Sequence, residues 1–589
     1  MTKLTELQVL ALDCQATGAN PLKGHLLEIA WVPACASEPG PASASVPQSY
    51  LVRLPDNAAV PRAVQRLTGI ADQSLATALP SPMIWQHLLT AAGAIAAANH
   101  SPACPCPLVI HFARFETPFL KDLHRRHGAA GAFPFGIICT HEIAVRLLPN
   151  LPRRGIRAIA GYYGYGMPEL KRSGCHAAAT AFIWQKMVEL LNAGCGISNL
   201  VQLTDWLAST RPTGRSTREF PMHAQLRRQL PDTPGIYRML RSNGELLYIG
   251  KAKSLKKRIS GYFQPKAPHA EHTLEMLTQA RGLDITRTGS ALEAAILESD
   301  EIKRHSPPYN IALRRLERRL VFCRKDLRRQ AAAADEAYSV GPLPAGKSSQ
   351  ALAAFGQWYG NGMRLEADTG DGIGCAALGL PPEHAPEGDC FQKGFDIFRR
   401  RHGNCPPDQS ALRFLTALGA RLWLKKAAAA AGTTDAAPPG ADAGDALPTG
   451  AENEFIWTPE AVASAIETMV TACAFLIRRA RWLCLLSEST LAWESADQPG
   501  TQKAMLVFEK GRVIGRRDLY PGAKTAVPPG FARTLRARQM HIDLITYDRL
   551  RVVTTEMRRI IAAGRNIELR LGPQAILRRP HLIKALQWV

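Results

Sequence analysis

The stretch "PGIYRMLRSNGELLYIGK" at residues 234–251 decides how the middle of the chain folds. A Gly-Ile-Tyr and a Tyr-Ile-Gly flank "RSNGE", in which Asn and Gly tolerate the positive φ values that hairpin turns require. The pattern predicts a β-hairpin that brings Tyr237 and Tyr248 onto neighbouring strands. One interpretation is a plain hairpin with two surface tyrosines. The other is that both tyrosines are directed at a single phosphate.

A basic segment, "SLKKRISGYF", follows the hairpin and is predicted to be a helix. Leu255, Ile259 and Phe263 recur every four residues and should form its buried stripe. Arg258 and Tyr262 are also four apart and share a different face. A guanidinium and a phenol that point the same way suit phosphate recognition, although a solvated lysine-rich face is the alternative interpretation.

A second helix is predicted over "ALEAAILESDEIKRH", and it stops at "SPPYN" because proline cannot continue it. Helical spacing assigns its apolar side to Leu292, Ala295, Ile296 and Ser299. Glu298 falls at one edge, beside Ala291, Ala294 and Ile302. A half-buried carboxylate there should be paired or bind a cation. Glu293, Asp300 and Glu301 are expected at the surface.

Composition limits the function classes. The chain has 589 residues, enough for about three or four domains, and its net charge of +22 points to nucleic acid as the partner. No run reaches the roughly 18 uncharged apolar residues of a membrane span, so a membrane role is not expected. The thirteen cysteines include no CxxC pair, which fits a reducing, cytoplasmic compartment.

The segments "PGIYRML", "LYIGKAKSLKKRISGYF" and "EAAILESDEIKRHSPPYN" together resemble the GIY-YIG nuclease domain of UvrC-type excinuclease subunits and their shorter Cho-like relatives, over residues 231–313. The resemblance implies a small α/β domain. It assigns the two motif tyrosines to Tyr237 and Tyr248, and one metal ligand to Glu298. The implied phosphate-site and pocket residues are Lys251, Arg258, Tyr262 and Asn310. Lys253, Lys256 and Lys257, from the basic run itself, are expected to contact DNA.

The implied chemistry is hydrolysis of a phosphodiester. One Mg²⁺ (or Mn²⁺) at Glu298 would neutralise the scissile phosphate, and Lys251 and Arg258 would take up the developing charge. A tyrosine with a pKa near its usual value of about 10 is a poor base. Nearby cations would favour the phenolate, so Tyr237 or Tyr248 could activate water. The resemblance favours Tyr237, while the residues alone leave both open.

The first part of the chain is similar to the DnaQ-like 3′-to-5′ exonucleases over residues 8–190, through "LALDCQATGANPLKGHLLEIAWV", "VIHFARFETPFLKDL" and "CHAAATAFIW". The resemblance implies an RNase H-like fold and a two-metal site made of four acids and a histidine. Asp13, Glu116 and His176 stand at family positions. Gln15 and Ala181 replace two of the acids, so we expect a degenerate site that binds DNA or docks another domain.

The fold class predicted is a multidomain α/β protein: an RNase H-like domain, a small GIY-YIG domain, and a mainly helical, poorly defined remainder. The predicted divisions are 1–200, a linker at 201–222, the nuclease domain at 223–318, a UvrC/Cho-like region at 319–424, a tether at 425–454 and a basic domain at 455–589. "KAMLVFEKGRVIGRRDLY" predicts a hairpin in the last of these. Cys375, Cys390 and Cys405 lack metal-site spacing, so iron–sulfur or zinc is not expected.

The function that these features predict is a magnesium-dependent endonuclease that makes a single nick in damaged DNA. The resemblance raises UvrA- and UvrB-like damage-recognition proteins as partners. Two alternatives stay open: a non-catalytic DNA-binding repair accessory, and a dual nuclease whose first domain keeps weak 3′-to-5′ exonuclease activity.

Overall fold

In the computed structural model, the chain divides into two compact units. One contains Met1–Gly289 and His305–Ile311, and the other contains Ser290–Arg304 and Ala312–Val589. The structure describes residues 2–37, 46–100, 105–128, 131–166, 171–210, 218–264, 267–310, 319–364, 386, 388–403, 409–430, 457–494, 503–519, 542–571, 575–587 and 589.

The first unit begins with a five-stranded sheet in the order β3-β2-β1-β4-β5. Its strands are β1 Gln8–Ala16, β2 Leu26–Cys35, β3 Gln48–Leu51, β4 Cys106–Ile110 and β5 Phe135–Cys139. The first three pair antiparallel, while β4 is parallel to β1 and β5 is parallel to β4. The prediction that "LQVLALD" and "LLEIAWV" form buried strands is confirmed, because apolar residues on both faces of these strands are covered.

The helices around this sheet are α1 Arg62–Thr68, α2 Ser81–Ala98, α3 Ala113–His127, α4 Thr140–Leu147, α5 Ile156–Tyr162, α6 Ser173–Cys195 and α7 Leu200–Ser209. The sequence predicts α6 as an amphipathic helix, but Phe182, Ile183 and Trp184 are consecutive and all buried. The reason is that α6 lies against β1 and β2 and also contacts α4 and α5.

The segment at 201–222 is predicted to be a linker, yet α7 occupies its first part. Arg146 holds this helix by donating from Nε to the Thr210 carbonyl, at 2.8 Å, and from Nη2 to the Leu207 carbonyl, at 3.0 Å. Residues 211–217 lie outside the described part of the chain.

The same unit continues into a three-stranded antiparallel sheet in the order β7-β6-β8. Its strands are β6 Gly235–Leu240, β7 Leu246–Ala252 and β8 Gly282–Arg287, with helices α8 Ala224–Arg228, α9 Leu255–Tyr262 and α10 Glu271–Gln279. The predicted hairpin is confirmed: Gly244 has φ +85° and the Arg241 amide donates to the Glu245 carbonyl. The predicted α9 stripe is also confirmed, since its three members are at most 6% exposed.

The second unit starts with α11, Ala291–His305, as the sequence predicts. The rest of its first half comprises β9 Leu320–Cys323, β10 Gln330–Ala331, β11 Val340–Pro344, α12 Lys347–Gly360, α13 Gly388–His402, α14 Ala411–Ala430 and α15 Pro459–Leu486. Apolar side chains of α12, α13, α14 and α15 form one core. Helix α14 extends to Ala430, within the predicted tether, and residues 431–454 lie outside the described residues.

Helix α15 is long and apolar enough to cross a membrane by length and composition alone. In this unit, however, Val462, Ile466 and Val470 are fully buried in the helical core, while Leu485 is 40% exposed. Burial of this kind is typical of the central helix of a globular domain.

The last part of the second unit contains a five-stranded antiparallel sheet in the order β14-β13-β12-β15-β16. Its elements are β12 Ser489–Glu494, β13 Lys503–Glu509, β14 Arg512–Leu519, α16 Leu544–Ala562, β15 Ile567–Leu571, β16 Ala575–Arg578 and α17 Arg579–Leu586. The predicted hairpin is β13–β14 and is confirmed. The other three strands were not predicted; helices nevertheless account for most of the described residues beyond 319.

Candidate active site

The glycines of the β6–β7 hairpin allow close packing around its tyrosines. Tyr237 and Gly250 are register partners on the two strands. A Cβ on Gly250 would overlap the Tyr237 ring and hydroxyl, and a Cβ on Gly235 would overlap the Thr286 carbonyl of β8. Both glycines are therefore required for close approach, and Gly250 makes the space that the Tyr237 side chain occupies.

Four of the predicted site residues come together beside this hairpin. The Tyr237 ring centroid lies 6.0 Å from that of Tyr248 and 6.1 Å from that of Tyr262. Tyr237 Oη donates a hydrogen bond to Tyr262 Oη, at 3.0 Å. Arg258 Nη2 donates to the same oxygen, at 3.2 Å, and its Cζ lies 5.0 Å from the Tyr262 ring centroid. The helical face that the sequence predicts for Arg258 and Tyr262 is thus the face turned to the tyrosines.

A pocket of about 500 Å³ opens beside this cluster. Its lining residues are Tyr248, Lys257, Arg258, Gly261, Tyr262, His269, His272, Thr273, Met276 and Tyr309. Helix α10 and the residues before it supply the wall opposite α9, and no motif in the sequence indicates this wall. His269 stacks on Tyr262, with centroids 5.9 Å apart and ring planes 24° apart, and its Nε2 is 2.9 Å from the Tyr262 carbonyl oxygen.

The predicted basic residues are placed unequally. Lys251 lies half-buried on β7, whereas Lys253, Lys256 and Lys257 are exposed. Of these four, Lys257 lines the pocket, and its Nζ is 3.9 Å from Asp232 Oδ2. Of the predicted lysines, Lys257 is therefore the one that contributes directly to the lining of the pocket.

Asn310 holds the backbone of β7. Its Nδ2 donates to the Ile249 carbonyl, at 2.8 Å, and its Oδ1 accepts from the Ile249 amide, at 2.9 Å. The preceding residue, Tyr309, donates its amide to the Leu247 carbonyl. Asn310 is 7% exposed, so it fixes the strand between Tyr248 and Gly250, while Tyr309 lines the pocket.

The electrostatic environment distinguishes the two motif tyrosines. Tyr237 is fully buried, and desolvation raises its pKa well above the ordinary value of 10. The neighbouring phenols of Tyr262 and Tyr248 raise this pKa further, while the Arg258 charge opposes the change. Tyr237 is therefore a neutral hydrogen-bond donor at neutral pH, whereas Tyr248 faces the pocket.

Glu298 lies on α11 and belongs to the second unit. Its side chain is partly buried, and the small Ala294 and the apolar Ile302 on the same helix are buried, as the helical pattern predicts. The expectation that Glu293 and Asp300 are simple surface residues is wrong. Arg516 Nε lies 3.2 Å from Glu293 Oε1, and Arg549 Nε lies 3.0 Å from Asp300 Oδ1, because α11 is held by ion pairs in this unit.

The exonuclease-like residues lie around β1. His176 Nδ1, on α6, is 3.2 Å from Asp13 Oδ1. Asp13 Oδ2 and Glu116 Oε2 are buried and have no hydrogen-bond partner among the described residues. Desolvation, and then the charge of Asp13, raises the pKa of Glu116 to about 9. Desolvation also raises the pKa of Asp13, against the opposing effect of His176.

A neighbouring carboxylate, Glu28 on β2, was missed by the sequence analysis. It is 1% exposed, and its Oε1 accepts from Arg172 Nε and Nη2, at 2.9 and 2.5 Å. Its Oε2 accepts from the Ser173 amide, at 2.9 Å. Glu28 is therefore fully engaged in hydrogen bonds and does not stand in for the missing acids.

The donor set fits two divalent ions poorly. Gln15 is neutral, Ala181 offers no oxygen, and two close divalent ions need several negative charges to offset their repulsion. Within the described ranges, no group of three or more His, Cys, Asp or Glu side chains is arranged to hold a metal ion. Of the three cysteines considered above, Cys390 is within 3.4 Å of the Trp457 carbonyl oxygen, and Cys375 and Cys405 lie outside the described residues.

A family model of the UvrC-like GIY-YIG domain matches residues 233–311. This region therefore belongs to the UvrC-like GIY-YIG nucleases, a class of hydrolases that act on DNA. This match covers a small part of the chain, so it identifies one domain and says nothing of the other residues.

Among the relatives, UvrABC system protein C of Psychrobacter sp. (strain PRwf-1) is 44% identical over 87 residues, which is 15% of this chain and 14% of that protein. The chain thus spans well under two thirds of the length of that relative. The GIY-YIG N-terminal endonuclease domain of UvrC from Thermotoga maritima, bound to its catalytic divalent cation magnesium, is 32% identical over 15% of this chain and 94% of that one, with a TM-score of 0.14. Exonuclease I is 10% identical over 40% of this chain and 48% of that one, with a TM-score of 0.27, which is too low to define a fold.

Proposed function

We propose that the protein is a magnesium-dependent endonuclease that makes one nick in damaged or distorted DNA by phosphodiester hydrolysis. The observation that carries the proposal is a cluster of contacting side chains beside a pocket, formed by Tyr237, Tyr248, Arg258 and Tyr262. The cluster lies in a domain that matches the UvrC-like nucleases. A net charge of +22 supports a polyanionic substrate, and the location proposed is DNA-associated and cytoplasmic.

The residues of the pocket can bind and orient a phosphodiester. Arg258 and Lys257 supply positive charge at the lining, and we propose that the half-buried Lys251 on β7 contributes further charge. These cations attract the anionic phosphate and stabilise the charge that develops as the bond breaks. The hydrogen bonds from Tyr237 and Arg258 fix the Tyr262 hydroxyl at the pocket wall.

We propose Tyr248 as the group that takes the proton from the attacking water. It lines the pocket together with Arg258 and Lys257, so a phosphodiester and its attacking water bound there would lie against its hydroxyl. Tyr237, which the family resemblance favours, is assigned a different role here. Its buried, neutral hydroxyl orients Tyr262, because desolvation disfavours the charged form that a base would need.

The carboxylate of Glu298 suits a single magnesium ion. This ion often binds one or two carboxylates together with substrate phosphates and keeps several waters. Magnesium bound there would supply Lewis-acid stabilisation of the phosphate. Support for this cation comes from the matched family segment, which includes Glu298, and from the magnesium described for the Thermotoga maritima domain.

For the first part of the chain, we propose a degenerate exonuclease-type domain with an RNase H-like fold. The antiparallel β1–β3 followed by the parallel β4 and β5, and the Asp13–His176 contact, support the fold. Gln15 and Ala181, which stand where the resemblance places two acids, support the loss of metal-dependent activity. UvrA- and UvrB-like proteins are proposed as the partners that deliver damaged DNA.

The test is incubation of purified protein with supercoiled plasmid and with a lesion-bearing duplex, with and without Mg²⁺. Nicking should require Mg²⁺ and should be lost in Tyr237→Phe and Glu298→Gln, but not in the control variants Tyr338→Phe and Glu301→Gln. Salt-sensitive binding without nicking would instead identify a DNA-binding accessory. Degradation from 3′ ends that persists in Glu298→Gln would identify a second, exonuclease activity.

A further inference from the structure

The exonuclease-like region and the tyrosine pocket lie in the same compact unit and share an interface between α5 and α10. A Cβ on Gly161 would overlap the side-chain amide of Gln279, so this glycine leaves the space that the amide occupies. The Arg153 amide donates to Thr278 Oγ1, at 3.1 Å, and the Arg153 side chain forms an ion pair with Glu271. Thr278 is fully buried at this contact.

A chain of polar contacts runs from this interface to the pocket. Arg157 Nε lies 3.5 Å from Glu275 Oε1, which accepts a hydrogen bond from Tyr309 Oη, at 2.7 Å. The Arg157 guanidinium carbon is also 5.7 Å from the Tyr309 ring centroid. Gln279 Nε2 donates to the same hydroxyl, and its Oε1 accepts from Arg241 Nε, at 3.1 Å. The Tyr309 side chain is thus held by residues of both regions.

Helix α10 serves two surfaces at once. Glu271, Glu275, Thr278 and Gln279 recur at helical spacing and face the exonuclease-like region, while His272, Thr273 and Met276 line the pocket. A helix that is held on one face by α5 presents its neighbouring face in one position. The interface therefore sets where this wall of the pocket lies.

The series of polar contacts that begins at Arg157 ends at strand β7. Tyr309 lines the pocket and donates its amide to Leu247, and Asn310 brackets Ile249 with two hydrogen bonds. Between these two anchors lies Tyr248. Any shift of Tyr309 is accordingly transmitted to the strand that carries the pocket tyrosine.

We infer that residues 2–210 serve as a positioning domain for the nuclease pocket, acting through Arg157, Glu275 and Tyr309. These three are positioning residues and take no part in the bond-breaking step. The expected effect on kcat rests on the proposed nuclease function. The expected structural effect, the ordering of β7 by Arg157, does not depend on that function.

The experiment uses the full chain and three variants: Arg157→Met, which removes the charge and keeps the stem, Tyr309→Phe, and the double variant. Arg125→Met is the matched control, because Arg125 pairs with Asp122 on α3, on an exposed surface of the same region. Arg157→Met and Tyr309→Phe should each lower kcat for plasmid nicking about tenfold, since small misplacements at a catalytic site cost this much or more. KM for DNA should stay within about twofold, because the charged lining of the pocket is retained.

Two further measurements distinguish positioning from general damage to the fold. The double variant should be no slower than the slower single variant, because both changes break one chain of contacts. Amide hydrogen exchange at 247–250 should become faster in Arg157→Met, stay unchanged in Arg125→Met, and return towards the original rate in Arg157→Lys.

Unchanged exchange at 247–250 in Arg157→Met would overturn the inference, and so would additive losses of kcat in the double variant. If the unmodified protein fails to nick DNA, the proposed function fails. The exchange measurement then still decides whether the exonuclease-like region positions the pocket.

Discussion

Replacing Glu116 with glutamine tests whether the proposed exonuclease-type site binds a metal ion. Burial and the nearby Asp13 raise the pKa of Glu116 from an ordinary 4.5 to about 9. Because the native pKa is raised, the stability that the group contributes is complete below about pH 4.5 and is lost as the pH rises towards 9. Native Glu116 therefore makes the domain less stable at pH 8 than at pH 5.

The magnitude follows from linkage. Each pH unit inside this window costs about 1.4 kcal/mol, so the loss between pH 5 and pH 8 is about 4 kcal/mol. Glutamine does not titrate, although its buried amide costs about 1–3 kcal/mol at every pH if it finds no partner. We therefore predict the change with pH. The stability of Glu116→Gln relative to the unmodified protein should increase by about 4 kcal/mol between pH 5 and pH 8.

The assay is native-state amide hydrogen exchange of β1 and β4 at the two pH values in EDTA, which gives the free energy of opening for this region. Glu28→Gln is the contrasting control, because Glu28 is paired with Arg172 and its replacement should destabilise the domain at both pH values. If Glu116→Gln gains no stability over the unmodified protein between pH 5 and pH 8, the pKa of Glu116 is not raised by burial and the prediction is wrong. Mn²⁺ that stabilises the unmodified protein and abolishes the advantage of the variant would also contradict the prediction, since a ligand of the native state adds to its stability.

Gly250→Ala should lower the free energy of unfolding by about 1–3 kcal/mol and abolish nicking, because the new Cβ overlaps Tyr237. Gly93→Ala has open space around it, so calorimetry should show neutral or raised stability and the plasmid assay should show unchanged nicking. Asp548→Ala should lower the free energy of unfolding of the second unit by about 3–5 kcal/mol in a denaturant titration. The reason is that it removes the carboxylate 2.5 Å from the buried Lys303 ammonium. A loss below about 1 kcal/mol would contradict this prediction. Burial, opposed by a bond to the Arg154 carbonyl, lowers the pKa of His111 from 6.5 to about 3, so its stabilising effect is present above pH 6.5 and is lost on acidification. Between pH 7 and pH 5 this loss is about 2 kcal/mol, and it should be absent from a His111→Gln variant followed by hydrogen exchange at β4.

Short-range patterns made much of the nuclease region predictable. The turn residues and the two glycine-flanked tyrosines predict the β6–β7 hairpin. A spacing of four residues predicts both the buried stripe of α9 and the shared face of Arg258 and Tyr262. These are local properties, because the backbone geometry of a turn or a helix places neighbours in sequence at known positions in space. The same locality explains why β1, β2 and α11 were predicted within their segments.

Other features depend on residues far apart in the chain, which no local pattern records. Motif spacing in the sequence was enough to name the chemical groups of the site: two tyrosines, a helix-borne arginine and tyrosine, and the asparagine after a proline stop. It was not enough to show that α10 forms the opposite wall, that Tyr237 is desolvated and so donates a hydrogen bond, or that Arg157 reaches Tyr309 through Glu275. Burial and contact between distant segments set these properties, and both arise only when the chain is folded.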